Sequence, residues 1–408
     1  MLTGSLPKAL GYFALAMVLA FSLTACGGGG STAGGPTGGG ADIMDPYLIR
    51  TAPDLKDLAD RVNSGHEPAG LYYKLVGDID LSAYSSRSGG KDWTPIGRSD
   101  SAFNFPFTGH FDGNGKTVSN LSIDDIGFNY AGLFGYIDGG TVRNLEIAGA
   151  NVVGNAYVGG IAGALVGGAE IVACSVTGNI SGDDKVGGVA GYVNDSSISS
   201  SYAASYVSGG GNIGGVAGEV INNGGVSNSY ATGDVAGENN YVGGVAGSVA
   251  GLGGVINSYA TGEVSGGNYV GGVAGYLGAG EVSGCAALNP AIERVSGSIG
   301  GDFGRVLGLN NSGVAQGDNA AFEDMLVLGA IVSGPASDEN GADISGDDAK
   351  LEISYTAGLN WAFGVNPTDP LIPVAANPWK WGVANYPLPV LSWQTPTQMP
   401  ASLPGHLE

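Results

Sequence analysis

Apolar and polar positions alternate in short runs along most of this chain, and the runs recur. In Ser229 to Val235, the residues Ser229, Ala231, Gly233 and Val235 fall on one face of an extended strand. Tyr230, Thr232 and Asp234 fall on the other. The next copy sets Ser258, Ala260, Gly262 and Val264 against Tyr259, Thr261 and Glu263. The small and apolar set belongs inside, because burying Asp234 or Glu263 unpaired would cost several kcal/mol.

A second pattern interlocks with the first. Units open with YAGLFG at Tyr130, YVGGIAG at Tyr157, KVGGVAG at Lys185, NIGGVAG at Asn212, YVGGVAG at Tyr241 and Tyr269, and SIGGDFG at Ser298, with steps of 27 to 29 residues. Self-similarity at such a period is the mark of a stacked repeat architecture. Helical arrays are set aside, because the units are dense in Gly, Val, Ser, Thr, Asn and Tyr, which favour helix weakly or not at all. Apolar residues at i, i+3, i+4 and i+7 do not persist over three turns in any repeat. One unit cannot bury its own apolar face, so the units must stack. The expected fold is all-β: a right-handed parallel β-helix, or β-solenoid, of about seven repeat coils with N- and C-terminal caps.

Two details follow from this frame. Val242 and Val245 lie three apart, so strict alternation would send them to opposite faces; the Gly243–Gly244 pair is expected to hold a corner or bulge that lets both point inward. Cys174 and Cys285 align with Ser201, Ser229 and Ser258 at an inward position, four coils apart, so about 19 Å separates them at the strand spacing. A disulfide needs Cα atoms within about 7 Å, so two buried free thiols are expected.

Both flanks depart from the repeat. Residues 43–129 are expected to form an N-terminal cap with one helix over TAPDLKDLADRVNSG. Thr51 caps it, Pro53 and Asp54 suit its first turn, Leu55, Leu58, Ala59 and Val62 make its buried stripe, and Gly65 ends it. Residues 130–320 form the solenoid. Residues 321–408 lose the repeat and hold four of the five tryptophans, Trp361, Trp379, Trp381 and Trp393. With the prolines there, this reads as an irregular aromatic plug over the end of the stack, the alternative being a separate small binding domain.

Residues 1–25 carry one basic residue, Lys8, and an apolar run through Leu19, Ala20 and Phe21, which is the core of a signal peptide rather than a spanning helix. The run ends in Leu23-Thr24-Ala25-Cys26, which resembles the bacterial lipobox. That resemblance implies cleavage before Cys26 and attachment of diacylglycerol and palmitate-type acyl chains through its thiol. Residues 26–42 then form a lipidated Gly-rich tether with no means of building a core. Gly27 in place of Asp favours, by analogy with lipoprotein sorting, the outer membrane or cell surface.

The net charge of −22 makes nucleic acid and anionic lipid surfaces poor partners. A solvated acidic surface explains most of it. Calcium is the sharper reading, through Asp338, Glu339, Asp343, Asp347 and Asp348, or Asp183 and Asp184 at a corner, but neither stretch fits a known loop spacing and no metal ligand is assigned. A glycan-cleaving β-helix needs a carboxylate cluster or a basic group in a lateral groove. Asp234 and Glu263 stand in one outward column, yet their equivalents are Asn179 and Tyr206, and residues 130–320 contain no histidine. His66, His110 and His406 are scattered. No catalytic residue is assigned, and the expectation is that the chain is not an enzyme.

The outward face offers Tyr202, Tyr230 and Tyr259 as a stacked ladder, with Thr232 and Thr261 beside it. Such a ladder stabilises a solenoid by itself, and it is also a candidate strip for a host glycan or surface protein.

The repeats resemble the GLUG repeat of bacterial cell-surface proteins, in which a segment like YVGGVAGYLGAGEV alternates with NSYATGEVSG. PYLIRTAPDLKDLADRVNSG, YYKLVGDIDL, WTPIG and GHFDGNGKTVSNLSI are similar to the leader of such proteins, and YPLPVLSWQ to their closing stretch, so the resemblance covers about 45–394. It implies a right-handed β-helix, surface exposure and an adhesin-like role. Similar repeats accompany immunoglobulin-A-cleaving zinc peptidases, whose His-Glu-x-x-His helix is missing here: His66-Glu67 is followed by Pro68, Ala69 and Gly70. The expected function is adhesion or surface interaction through a lateral face, without catalysis. The alternatives are an envelope spacer without ligand and, last, a glycan-degrading enzyme.

Overall fold

A computed structural model describes residues 38–407, apart from 87–88, 90, 100–103, 299, 313–315, 336–337, 362–377 and 396–397. All of these belong to one unit, Gly35–Glu408. Cys26 and its tether lie outside the described residues.

The strands stack in parallel, turn upon turn, into a β-solenoid of about nine turns. A 27-stranded sheet wraps most of the circumference and a seven-stranded sheet closes the remaining face. Register is strict. Val158, Val186, Ile213, Val242 and Val270 lie one above the other, and all are fully buried. A second inward row runs through Ile180, Val207, Val235, Val264 and Ile292. Each such side chain contributes about 1.5–3 kcal/mol of burial, and no single coil could realise it alone.

Nine turns rather than seven has a simple cause. The leader is part of the stack: Tyr47–Ile49 pairs with Tyr72–Leu75, that strand with His110–Ser119, and that one with Thr141–Val153, all in parallel. The α-helix Ala52–Asn63 packs on this end. Thr51 Oγ1 accepts from Asp54 N at 3.3 Å while the Asp54 carboxylate accepts from Thr51 N at 3.1 Å, a reciprocal cap. Leu55, Leu58, Ala59 and Val62 are buried, as the pattern predicts.

Val242 and Val245 both point inward and are fully buried. The intervening glycines are required by close approach. A Cβ on Gly243 would stand 2.0 Å from Ala246 O, and one on Gly244 would stand 2.1 Å from Gly272 O. The left-handed corner sits one residue before the valine, at Tyr241 (φ 62°), and recurs at Tyr130, Tyr157, Lys185, Asn212 and Tyr269.

The aligned serines form an internal ladder. Cys174 N donates to Ser201 Oγ (3.1 Å), Ser201 N to Ser229 Oγ (3.2 Å) and Ser229 N to Ser258 Oγ (3.2 Å). Cys174 and Cys285 are unpaired and buried.

The C-terminal region divides: Ala320–Phe322 and Ala342–Ile344 add parallel strands at the end of the stack, where His406 Nε2 donates to Leu288 O at 2.7 Å, but the tryptophan-bearing stretch is not a plug over that end. It runs along the side as a lateral strap. Trp361 Nε1 donates to Gly284 O at 2.6 Å, Tyr259 Oη to Pro389 O at 2.8 Å, Trp393 Nε1 to Ser200 O at 2.7 Å, and Gln398 Nε2 to Glu146 Oε2 at 3.3 Å. The strap therefore crosses successive coils back toward the N-terminal end.

Candidate functional site

The ladder predicted from the alternation exists. Tyr202, Tyr230 and Tyr259 stack with centroids 4.9 and 4.8 Å apart and planes within 5°. It is not a free surface, because the strap covers it. Tyr230 and Tyr259 are fully buried and Tyr202 is 4% exposed. Trp379 packs against Tyr230 and Tyr259, Trp361 against Tyr259, and Trp393 against Tyr202. Gln394 exchanges a hydrogen bond with Tyr230 Oη. Burial raises both phenols far above their ordinary range, with Tyr386 adding to the effect. Of the flanking threonines, Thr232 is half-buried and Thr261 buried. As a binding strip this set is corrected to a core between solenoid and strap: a tyrosine edge left by a coil is apolar enough to recruit the tryptophans at the chain's other end.

A different aromatic strip remains open, on the seven-stranded sheet and the corner beside it. One column is the left-handed corner itself: Tyr130, Tyr157, Lys185, Asn212, Tyr241 and Tyr269. The second is the outward column of the sheet: Tyr136, Ala164, Tyr192, Glu219, Ser248 and Tyr276. Every tyrosine in both columns is half-buried, neither covered nor fully free. Tyr130 and Tyr157 stack at 4.6 Å and 7°, and Tyr241 and Tyr269 at 5.4 Å and 21°. Edge contacts tie the columns together, Tyr130 to Tyr136 at 5.4 Å and Tyr157 to Tyr192 at 5.5 Å, while Tyr241 meets Tyr276 at 4.8 Å. At about 4.8 Å per coil, six coils give a strip about 24 Å long.

The corner is where residue choice is most informative. A left-handed backbone costs an L-residue about 1–2 kcal/mol, and Gly or Asn relieves the cost. Asn212 takes that solution, but four of the six positions hold tyrosine. Backbone strain retained under a bulky, half-exposed ring marks a position kept for its side chain.

The middle of the strip is charged. Lys185 Nζ lies 2.6 Å from Asp184 Oδ2, 3.6 Å from Glu219 Oε2 and 5.6 Å from the Tyr157 ring centre. Burial pulls the ammonium down, but Asp184 and Glu219 outweigh it and leave it above its ordinary value. Burial pushes the Glu219 carboxyl up, against the pull of Lys185. Burial likewise raises Tyr130 and Tyr136, and Tyr192 to about 12, so these phenols remain hydrogen-bond donors. Amides border the strip: Asn155 Nδ2 donates to Asn129 Oδ1 at 3.0 Å, Asn212 Nδ2 to Asp184 Oδ1 at 2.8 Å, and Asn222 Nδ2 to Asn194 Oδ1 at 2.7 Å.

The other predicted chemistry disperses. Asp338 accepts from Asn340 N and Gly341 N, Asp343 pairs with the fully buried Arg305 at 2.7 Å, and Asp347 pairs with Lys350 at 3.0 Å. The acidic stretch is thus engaged in local structure, and among the described residues no group of three or more His, Cys, Asp or Glu is placed to hold a metal. Asp234 and Glu263 are exposed, and Asp234 Oδ1 accepts from Glu263 N at 2.9 Å.

No family model matches the chain. Over 171 residues, 41% of its length, it is 35% identical to halomucin of Haloquadratum walsbyi. Over 113 residues it is 41% identical to a candidate Gly-rich membrane protein of Evansella cellulosilytica. It spans only 2% and 12% of those two proteins. Two solved structures share its fold. One is a candidate immunoglobulin A1 protease from Bacteroides ovatus (TM-score 0.56, 22% identity), with 88% of this chain and 95% of that one covered. The other is an IgA1 protease (TM-score 0.52, 18% identity), with 79% of this chain and 25% of that one covered.

These likenesses overturn the expectation that the chain is not an enzyme. Nearly the whole length of a protein described as a candidate protease superposes on this solenoid, so the fold gives no ground for excluding catalysis. The exclusion rested on the repeats, where the carboxylate column of Asp234 and Glu263 does not persist and no histidine occurs, and it leaves aside the clusters that the leader coils and the C-terminal segment bring together.

Proposed function

We propose that the chain is an envelope-anchored surface protein that engages glycan chains along the half-buried tyrosine strip. The left-handed tyrosines of the corner carry this reading: the backbone bears a cost there that asparagine would remove, and what it gains is a row of half-buried rings with part of each at the surface. Each ring offers an apolar face and a polar tip, the combination that aromatic recognition surfaces use. The amides and the Lys185–Glu219 pair supply hydroxyl partners along both edges. Anchoring follows from the resemblance of Leu23–Cys26 to a lipobox, with the Gly-rich tether carrying the solenoid away from the membrane.

A glycan array probed with the intact chain tests the strip. Saturable binding is expected to weaken by about tenfold in the double variant Tyr157→Ala, Tyr241→Ala, since each ring contact contributes about 0.5–1.5 kcal/mol beyond its buried area. A silent array, or a variant that binds like the parent, sinks the proposal. Anchoring is tested separately: the parent should incorporate labelled palmitate and Cys26→Ser should not. Equal labelling of the two would remove Cys26 as the anchor.

A further inference from the structure

Stacking of the leader coils against the first repeats builds a pocket of about 530 Å³ on the opposite, long sheet. Two outward columns supply its floor. Tyr72, His110, Thr141 and Glu170 form one, and Lys74, Asp112 and Arg143 form the other, with partners on adjacent coils about 4.8 Å apart. Ile43, Met44 and Pro46 close one side.

The charges in this pocket are unevenly satisfied. Arg143 Nη2 lies 3.1 Å from Asp112 Oδ2, and Asn144 Nδ2 donates to Asp112 Oδ1 at 3.1 Å. The Lys74 ammonium, the His110 ring nitrogens and the Glu170 carboxylate make no hydrogen bond or ion pair with any other described residue. The His110 ring lies 4.5 Å from that of Tyr72, tilted 31°, so the two pack on one another and form one aromatic wall of the pocket. Burial and the nearby Arg143 hold the imidazole below its ordinary value against the pull of Glu170, keeping it neutral at neutral pH. Farther along the solenoid the same two columns hold Ser197, Ser199, Gly225, Ser227, Gly254, Ile256, Glu281 and Ser283, so the cations and aromatic rings are confined to this end.

We infer that this pocket is a binding site for a carboxylated sugar ring, a hexuronate unit of an acidic glycan. The sugar ring faces the Tyr72–His110 pair, its carboxylate meets Lys74 and Arg143, and its hydroxyls donate to Glu170, Asp112 and Thr141. A small inorganic anion would use the two cations and meet repulsion from the two carboxylates. A neutral sugar would leave Lys74 without a partner, whereas a hydroxylated ring acid engages both kinds of group. The site is independent of the tyrosine strip and shares no residue with it.

The test is isothermal titration of the intact chain with trigalacturonate, galactotriose, sodium acetate and glycylglycine. Trigalacturonate is expected to bind saturably, at least tenfold tighter than galactotriose. Lys74→Gln and Tyr72→Ala should each weaken it at least tenfold, with thermal melts that match the parent. The double variant Tyr157→Ala, Tyr241→Ala should bind it unchanged, which separates this site from the strip. Absence of saturable trigalacturonate binding overturns the inference. So does binding indifferent to both pocket variants, or acetate or glycylglycine binding as tightly as the uronate. If either pocket variant melts early, Glu170→Gln, an exposed position, replaces it under the same criterion.

Discussion

At the scale of single residues, the informative contrast lies between two sets of tyrosines that look alike in sequence. Tyr259 is fully buried, stacked at 4.8 Å on Tyr230 and hydrogen-bonded to Pro389 O at 2.8 Å. Tyr241 is half-buried on a left-handed backbone (φ 62°). Replacing a large buried aromatic by alanine costs about 3–5 kcal/mol, and Tyr259→Ala is expected in that range by urea unfolding. At Tyr241, asparagine relieves about 1–2 kcal/mol of backbone cost while losing ring contacts of about the same size. Tyr241→Asn should therefore change stability by no more than about 1 kcal/mol; a loss like that of Tyr259→Ala would show that Tyr241 is held for packing. Period-2 alternation placed Tyr230 and Tyr259 on the outer face correctly. It could not say which outer face stays open, because burial there depends on residues more than a hundred positions away. The opening tyrosine of each repeat was visible as a motif letter, but the left-handed corner beneath it has no signature in residue type, since tyrosine is a poor choice for that backbone. The cysteines were fully legible, because their alignment with the serine ladder fixes both depth and spacing. Burial pushes both thiols up to about 12, so Cys174 and Cys285, mapped by peptide mass, should resist iodoacetamide in the native chain and react after unfolding. Labelling at either site under native conditions would contradict their place in the core.

At the scale of the element, the corner between the two sheets is the repeated construction. Gly159, Gly187, Gly214, Gly243 and Gly271 each bring the backbone so close to the carbonyl of the alanine three residues on that a Cβ would stand 2.0–2.4 Å from it. Glycine density was legible as a need for corners, but the reason differs from a turn conformation: these glycines make room, and their neighbours Tyr, Lys and Asn carry the positive φ. Gly187→Ala tests this. Its Cβ would meet Ala190 O at 2.1 Å and Gly218 N at 2.7 Å, backbone atoms on its own and the next coil. Neither can move without shifting the register of a strand. A loss of about 1–3 kcal/mol or more is expected from such overpacking, read as a lower urea midpoint with unchanged slope. Gly168→Ala is the control: nothing lies within 4 Å of its added Cβ, although its own φ of +84° adds local strain. If the two variants unfold together, the requirement at Gly187 is conformational rather than steric.

At the scale of the whole molecule, the strap decides which face can meet a ligand. Its contacts join residues as distant as Glu146 and Gln398, 252 positions apart, and no local pattern encodes such a pairing. Composition revealed only that the last ninety or so residues hold four of the five tryptophans, which fits an end plug as well as a lateral cover. Trp379 settles the geometry because it touches both Tyr230 and Tyr259 and stacks on Trp361 at 4.6 Å, with no exposed surface of its own. An end plug would protect only the last coil, whereas a lateral strap joins coils from Glu146 to Gly284. Trp379→Ala should then cost about 3–5 kcal/mol, and its effect should reach coils remote from the chain's end. Hydrogen exchange would show faster exchange at Tyr202 and Tyr230, in the middle of the solenoid, and at Ala286 near the last repeat. Among the described residues no strap contact reaches Tyr157 or Tyr192, so glycan binding there should persist in the same variant. Loosening confined to the last coil would return the C-terminal segment to an end plug and leave the burial of the ladder without a cause.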